Sequence, residues 1–575
     1  MNSLTTDILI LGSGGAGLFA ALHAHRATPE LSITVAVKGL LGKCGCTRMV
    51  QGGYNVALAP EDSVERHFMD TIEGGKWLPD QDLAWMLVTL AIERVHELEN
   101  ELGCFFDRNP DGTIHQKAFA GQSFDRTVHK GDLTGIEIIN RLAEQVWARN
   151  IARLEEHRAV ELIKNVAGDA LAGVLMIDMR TGEYVLVRAK AVLLATGGGP
   201  TMYKYHTPSG DKTCDGLAMA LRAGLPLRDM EMVQFHPTGL LAGVHTRMTG
   251  TVLEEGLRGA GGYLLNGAKE RFMQRYDAKL ERATRDIVSR AMFSEIRKGN
   301  TTPHGGLYIS MAHLGPEKVR QAFRGMVERC ADCGFDLAGG LVEVVPTAHY
   351  MMGGVEFRHD CTTELAGLFV AGEDSGGVHG ANRLGGNGVA NSTVFGALAG
   401  DSMAAWVRAH GALNEPDRAA LQAAIDQCER AFSKGARSSQ NLEPLRDHLY
   451  DTMWEKVGII RDAEGLRQAI GELDAIDGEL EAYSFVDANR AFNLSWHDWL
   501  NLKSLVAVSR AIAVAAAARR ESRGAHYRAD FPECGPLEQS AFTSLRVQDG
   551  ELHVAMKPVA FSRVRPGETL LKHAA

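Results

Sequence analysis

Glu255, Arg258 and Arg285 fall within one glycine-rich stretch, Leu253–Ala291 (LEEGLRGAGGYLLNGAKERFMQRYDAKLERATRDIVSRA), and together they have the makings of a proton path. Glu255 and Arg258 stand at i and i+3, a spacing that puts both on one face of a helical turn. The surrounding glycines let backbone approach closely and leave room for something other than a side chain. Asn266-Gly267 after Tyr263-Leu264-Leu265 reads as a tight hairpin turn, and Thr284 as the N-cap of an apolar-periodic helix opened by Arg285-Asp286. Charged groups on rigid turns beside such a space suit proton handling or anion binding. A solvated surface hairpin is the plain alternative, and for this stretch alone the stronger one.

A second chemical signal lies at the N-terminus. The apolar strand Asp7–Leu11 runs directly into Gly12-Ser13-Gly14-Gly15-Ala16-Gly17 and then into an apolar-periodic helix, Leu18–Arg26. A further strand, Ile33–Val37, follows at βαβ spacing. Glycines between strand and helix let a pyrophosphate sit on the helix N-terminus, so Gly12, Gly14, Gly15 and Gly17 are read as dinucleotide-binding. The second strand ends in Lys38-Gly39, where an acidic residue usually takes the ribose hydroxyls, which weakens an NAD reading. The buried strand Ala191–Gly198 ends in glycines, and Leu368–Glu373 carries a carboxylate at its C-terminal edge, the edge where open α/β sheets bind ligands. Such "ATG" and "AGE" strands look like those of two-dinucleotide-binding flavoproteins, which tips the balance to FAD.

The 575 residues point to several domains, with 45% hydrophobic and 23% charged residues, as in an ordinary globular enzyme. A net charge of −10 argues against non-specific nucleic-acid binding. The N-terminus has no basic n-region or cleavage site, and no apolar run approaches membrane-spanning length; the richest, Ala511–Ala518, reads as a short buried helix. Nine scattered cysteines fit a reducing cytoplasm. Cys330 and Cys333 form a lone CxxC with no second pair nearby, so metal or redox use is the minor reading there.

Several further motifs, in order, carry a family resemblance: Gln51-Gly52-Gly53, His67–Thr71 with Trp77–Asp82, Phe119–Ser123, His236–Gly239, Glu255–Arg258, Arg285-Asp286, His349–Gly354, Gly380–Gly385 and Glu521–His526. From about residue 6 to about residue 533 the chain resembles the flavoprotein subunits of succinate dehydrogenase and fumarate reductase, and their relative L-aspartate oxidase. The resemblance implies that His236, His349 and Arg383 bind substrate carboxylates, with Phe119 packing nearby and Gln122 or Ser123 lining the same pocket. It implies that Arg285 passes a proton to or from a substrate carbon while flavin N5 moves a hydride, with Glu255 and Arg258 relaying that proton to solvent. Lys38, Thr47, Gln51, Gly52, Gly53, Asp215, Glu373 and Asn387 join the glycines as cofactor-binding positions. The chemistry is coherent. Reducing an alkene between two carboxylates needs both ends held, hydride on one face and a proton on the other. The flavin does the hydride chemistry and the protein orients. Arginine serves as an acid only where a neighbour restores its proton.

The chain departs from the family pattern at three places. Cys46, in Cys44–Gln51, holds the position of the histidine that links covalently to FAD in membrane-bound members, so non-covalent FAD is expected; a Cys46 thioether is the minor alternative. Loss of the linkage generally lowers the flavin potential and favours alkene reduction or oxidase use. Glu254 replaces the usual threonine that contacts substrate; a carboxylate there would repel a simple dicarboxylate unless protonated or turned away, and would welcome an amine or hydroxyl. Ala260 replaces an acid in the usual Arg-Gly-Glu-Gly. Arg546–Leu571 also lacks the basic tail of membrane-bound subunits.

These readings combine into an α/β FAD-binding domain of the two-dinucleotide-binding, Rossmann-like type (1–234 and 353–400), an inserted α+β capping domain (235–352), a C-terminal helical domain (401–530) and a tail (531–575). The expected activity is FAD-dependent oxidoreduction of a CH–CH bond in a dicarboxylate, with L-aspartate oxidase the nearest rival and adenylylsulfate reductase more distant. A non-catalytic electron-transfer or assembly subunit is the alternative of another class, disfavoured by intact Arg285, His236, His349 and Arg383. The expected partners are a small dicarboxylate and an iron–sulfur electron-transfer subunit, with flavin or quinone donors left open, and no bound metal. The expected location is cytoplasmic, with any membrane attachment only through a partner subunit.

Overall fold

The computed structural model describes residues 1–243, 246, 248–433 and 441–571; the last four residues of the expected tail lie outside them. The central sheet runs in the order Ala152–Glu155, Ile33–Val37, Asn2–Leu11, Tyr184–Leu194, Leu171–Asp178, His157–Lys164, and Leu368–Val370 also pairs with Tyr184–Leu194. The strands from Ala152–Glu155 through Tyr184–Leu194, and Leu368–Val370, are parallel. Parallel strands are covered on both faces, which is why Ile8, Leu9, Ile10 and Leu11 are all buried apolar residues rather than an alternating set.

The first helix, Gly15–Ala27, starts three residues earlier than expected, so Gly15 and Gly17 lie in its opening turn. It is apolar on nearly every side because it is sandwiched between the sheet and Asn387–Ala409. A Cβ at Gly396 would press on Ala16 O and one at Gly400 on Ala20 O, so these glycines set how closely the two helices cross. Asn387–Ala409 itself runs past residue 400 without a break.

Between the two parallel-sheet contributions lies an antiparallel sheet ordered Val233–Leu240, Val342–Met351, Leu307–Ser310, Tyr263–Leu265. Helices Arg285–Arg297, Pro316–Ala322 and Arg324–Asp332 accompany it, around a core that includes Leu257, Phe272, Val288, Met292 and Ile309. Asn266-Gly267 is not a two-residue hairpin. The loop runs from Asn266 to Glu270, with Lys269 in the left-handed region and the Gly267 N–H donated to Asn300 O. Thr284 stands at the N-cap of Arg285–Arg297 but makes no capping bond, and its buried hydroxyl has no partner. Cys330 is packed in this core, with its thiol pKa pushed up to about 12 by burial, and Cys333 is also free.

The helices Arg418–Ser433, Glu443–Lys456, Ala463–Ala482 and Leu494–Ala518 form the helical layer. Ala511–Ala518 is not a short helix but the end of the 25-residue Leu494–Ala518, which is long and apolar enough to cross a membrane by length and composition. It packs through Trp496, Trp499, Leu502 and Ile512 into the main core, as the buried helix of a folded domain does. The tail is not merely a tail: Ala541–Gln548 and Glu551–Pro558 form a hairpin whose first strand pairs with Leu227–Arg228.

Candidate active site

The C-terminal edge of the parallel sheet opens into a cavity of about 400 Å³ whose wall combines the Gly14-Gly15 turn, Gly45–Gly53, Ala195–Gly197 and Ala371–Glu373 with the antiparallel sheet. Gly14, Gly15, Thr47, Gln51, Gly52, Gly53 and Glu373 all line it, as expected. The Thr47 hydroxyl accepts the Gly15 N–H at 2.9 Å, at the N-terminus of the first helix. A Cβ at Gly12, which has φ +112°, would overlap Ala195 O, and one at Gly17 would overlap Gly12 O. Gly12 therefore closes the strand-to-helix turn and Gly17 seats the helix on it, so the helix N-terminus, where Thr47 takes the Gly15 N–H, can face a phosphate.

A smaller cleft lies beyond the turn, lined by Gly12, Lys38, Cys44, Arg158, Lys212 and Asp215 among others. Lys38 Nζ donates to Asp215 at 2.8 Å and to Thr213 at 2.7 Å, and Arg158 donates to Asp215 at 2.8 Å. Burial pulls the Lys38 ammonium down to about 8 against the opposing pull of Asp215. Burial also opposes ionisation of Asp215, but Arg158 and Lys38 outweigh it and hold that carboxyl well below its usual range. Two cations and one carboxylate replace the single acid usual at this position. Asp374, next to the expected Glu373, binds the Thr196 hydroxyl at 3.0 Å. Burial raises Glu373 to about 7 and Asp374 to about 6. The Glu373 carboxylate accepts the Met351 N–H at 2.9 Å.

The cleft and cavity fit FAD. The glycine turn leaves the space a side chain would fill, and the buried Oε1 of Gln51, which lines the cavity, has no partner among the described residues. Asn387 does not line the cavity. Its side chain sits in a buried network with His67 Nε2 at 2.9 Å, Asn55 at 2.8 Å and Thr71 at 3.1 Å.

The far end of the same cavity gathers His236, His349, Arg383, Phe119, Glu254, Glu255 and Arg285. His236 and His349 come from neighbouring antiparallel strands, and their ring centroids are 5.3 Å apart. Pro237 lacks an N–H, and the ladder shifts register between His236 and Gly239 rather than ending there. The Thr238 N–H donates to His236 Nδ1 at 3.3 Å, and the Thr207 hydroxyl is 2.8 Å from His349 Nδ1. Burial, reinforced by the charge of Arg285, holds both imidazoles well below their usual range, so both are neutral. Arg383 lies over the Tyr350 ring at 4.3 Å, and its buried Nε has no partner among the described residues. Burial and then Arg285 lower Arg383 to about 10, so it keeps its charge.

Arg285 donates to Glu255 Oε2 at 2.7 Å, and Arg258 donates to Glu255 Oε1 at 2.9 Å. Burial would raise the Glu255 carboxyl, but Arg285 and Arg258 outweigh it and hold it below its usual range. Arg258 is fully buried behind Glu255, and its other contact is Glu281 O at 2.7 Å. The opening stretch is therefore no solvated hairpin. Glu254 also faces the cavity, 3.3 Å from Lys117 Nζ. Ser123 turns away to Asp70, and Gln122 donates to Gly385 O at 3.0 Å and Asn55 at 3.1 Å rather than lining the cavity.

Gln234 was not foreseen. Its amide donates to Arg383 O at 2.6 Å and accepts from Arg285 at 3.0 Å, so one side chain ties the two arginines together. It stands two residues before His236 on one strand, and a period-two reading would have put both on one face. The Glu521–His526 segment braces the loop carrying Arg383: the Ala525 N–H donates to Ala381 O, and a Cβ at Gly524 would overlap that oxygen.

Residues 7–389 match the family described as an FAD binding domain, and residues 446–570 the one described as fumarate reductase flavoprotein C-term. The chain is 40% identical to one of the subunits of the fumarate reductase (CoM/CoB) of Methanothermobacter marburgensis, over 92% of this chain and 95% of that one. It is 35% identical to the Escherichia coli fumarate reductase flavoprotein subunit, over 92% of this chain and 89% of that one. Among solved structures, the FrdA chain of E. coli quinol fumarate reductase superposes with a TM-score of 0.92 at 33% identity, covering 99% of both chains. A glycine-built dinucleotide turn opening onto a large cavity thus stands in a chain that binds FAD and belongs to the fumarate reductase and succinate dehydrogenase flavoprotein family of FAD-dependent oxidoreductases.

Proposed function

We propose that this site reduces or oxidises the central CH–CH bond of a dicarboxylate of the fumarate and succinate type, with Arg285 as proton donor and acceptor. The observation that carries this reading is the 2.7 Å bond from Arg285 to Glu255 inside the cavity that also holds His236, His349 and Arg383. Arg383 is a charged fork with an unpartnered N–H, suited to grip a carboxylate, and the two neutral imidazoles supply further donors. FAD, when bound, supplies hydride chemistry at N5. Arg285 holds the proton for the opposite face, Glu255 restores it, and Arg258 keeps Glu255 ionised and links it towards Glu281. Phe119 fills the space beside Gly52 and Gly385, where a Cβ on either would meet its ring, and so helps exclude water.

The FAD is held non-covalently. Burial, then the nearby charge of Glu373, pushes the Cys46 thiol far up, so the thiolate needed for a thioether is suppressed. Gly12, Gly14, Gly15, Gly17, Thr47, Gln51, Gly52, Gly53 and Glu373 cradle it, with Lys38 and Asp215 at the ribose end; Asn387 supports the cradle from behind. The domain partition of 1–234 with 353–400, 235–352, 401–530 and 531–575 is our reading of the chain, supported by the return of Leu368–Val370 to the first sheet. The relatives are named as subunits, which supports a partner subunit; an iron–sulfur electron-transfer partner and, through it, a peripheral place at the membrane are part of the proposal.

Amine oxidation is the rival that a direct test separates. Succinate and L-aspartate are added in turn to the oxidised, FAD-loaded protein without oxygen. Bleaching by succinate supports the present reading, and bleaching by L-aspartate alone overturns it.

A further inference from the structure

Glu254 is 6% exposed, faces the cavity and adjoins Glu255, whose carboxylate touches Arg285. Glu254 lines the same cavity as Arg285, His236, His349 and Arg383. Among the described residues, Lys117 is the one hydrogen-bond donor to its side chain, and it binds Oε2. Oε1 lies where a Cβ on residue 256 would stand at 2.8 Å, so Gly256 leaves it room. The neighbouring carboxylate of Glu255 is taken up by two arginines, whereas Oε1 of Glu254 has no protein donor among the described residues. The cavity wall therefore holds, besides Arg383 and the two imidazoles, an acid with a spare acceptor.

We propose that Glu254 is a specificity-determining residue: the preferred substrate keeps one carboxylate for Arg383, His236 and His349, and presents an N–H or O–H donor to Glu254 Oε1 in place of a second free carboxylate. This inference rests on the dicarboxylate-site reading above and names the substrate class more narrowly. While Glu254 is ionised, a second carboxylate beside it meets like charge and an amide, ammonium or hydroxyl meets an acceptor; Lys117 favours that ionised form against the burial that raises the carboxyl. Lys117 holds Oε2 of the acid in place.

The test uses three ligands of one carbon skeleton: fumarate, its monomethyl ester and its monoamide. Each is titrated into the FAD-loaded oxidised protein, and Kd is read from the perturbation of the flavin spectrum. The expected order in the native protein is amide tighter than ester tighter than dianion, with amide over ester by about tenfold. Glu254→Gln removes the charge but keeps an acceptor, so fumarate binding tightens by about tenfold and the amide preference over the ester persists. Glu254→Thr shortens the acceptor away and abolishes the amide preference. Flavin content and melting temperature establish that each variant is folded. The same order of ligands in all three proteins, or a native protein that prefers the dianion, overturns the role of Glu254. If none of the three ligands perturbs the flavin in the native protein, the dicarboxylate-site reading falls, and this inference with it.

Discussion

Arg285 Nη2 lies 2.7 Å from Glu255 Oε2, while the other Glu255 oxygen, Oε1, takes a 2.9 Å bond from Arg258. One buried carboxylate thus serves two arginines, one at the cavity and one behind it. Replacing Glu255 by Gln leaves two buried guanidinium groups without their counter-charge. Breaking a buried pair from one side costs about 3–5 kcal/mol, so the melting temperature of Glu255→Gln should fall clearly. Turnover should fall by about 10²–10⁴-fold, the usual weight of a positioned proton-transfer group. A variant with native turnover would remove Glu255 from the relay.

The glycine turn makes a prediction independent of substrate. Gly12→Ala would place a Cβ against Ala195 O at a backbone φ that alanine rarely adopts. The variant should purify with little or no flavin, read as the ratio of absorbance near the flavin band to that of protein. Full flavin content would show that the turn does not need this geometry.

Non-covalent FAD predicts that acid denaturation leaves the precipitated protein colourless and the supernatant yellow. Cys46→Ala should release its flavin in the same way. Yellow colour kept by the native precipitate and lost from that of Cys46→Ala would establish the thioether instead.

Glu373 gives a pH dependence with a definite sign. Its carboxyl is raised from an ordinary 4.5 to about 7 in the folded protein, chiefly by burial. A raised carboxyl favours folding while protonated in both states, below the ordinary value, and that advantage is lost as pH rises through about 7. A shift of this size is worth roughly 3 kcal/mol at most. In flavin-stripped protein, Glu373→Gln should therefore melt higher than the native chain at pH 8 and show little difference at pH 4. A stabilisation independent of pH would mean that Glu373 is not the titrating group.

Much of the nucleotide half was legible because its signals are local. Strand, glycine turn and helix follow one another within Asn2–Ala27, so each constrains the next. The proton path was legible as a set of residues, but not as a geometry: Glu255 and Arg285 are 30 positions apart, and only the fold brings them together. Four features escape a sequence reading for physical reasons. The Asn266–Glu270 loop is held open by a contact from Gly267 to Asn300, which no local turn rule contains. Leu494–Ala518 was seen only in its alanine-rich end, because the polar residues of its first half hid a helix whose two tryptophans are buried. The tail hairpin pairs with Leu227–Arg228, a non-local partner that pattern reading does not supply. Asn387 was placed near the cofactor by position, and its side chain instead meets His67, Asn55 and Thr71.

The most direct test of the account is anaerobic stopped-flow mixing of the reduced, FAD-loaded protein with fumarate, beside Arg285→Lys prepared in the same way. The native flavin should reoxidise with formation of succinate, and Arg285→Lys, still loaded with flavin, should reoxidise about 10²–10⁴-fold more slowly. A native flavin left reduced by fumarate, or an Arg285→Lys protein that matches the native rate, would contradict it.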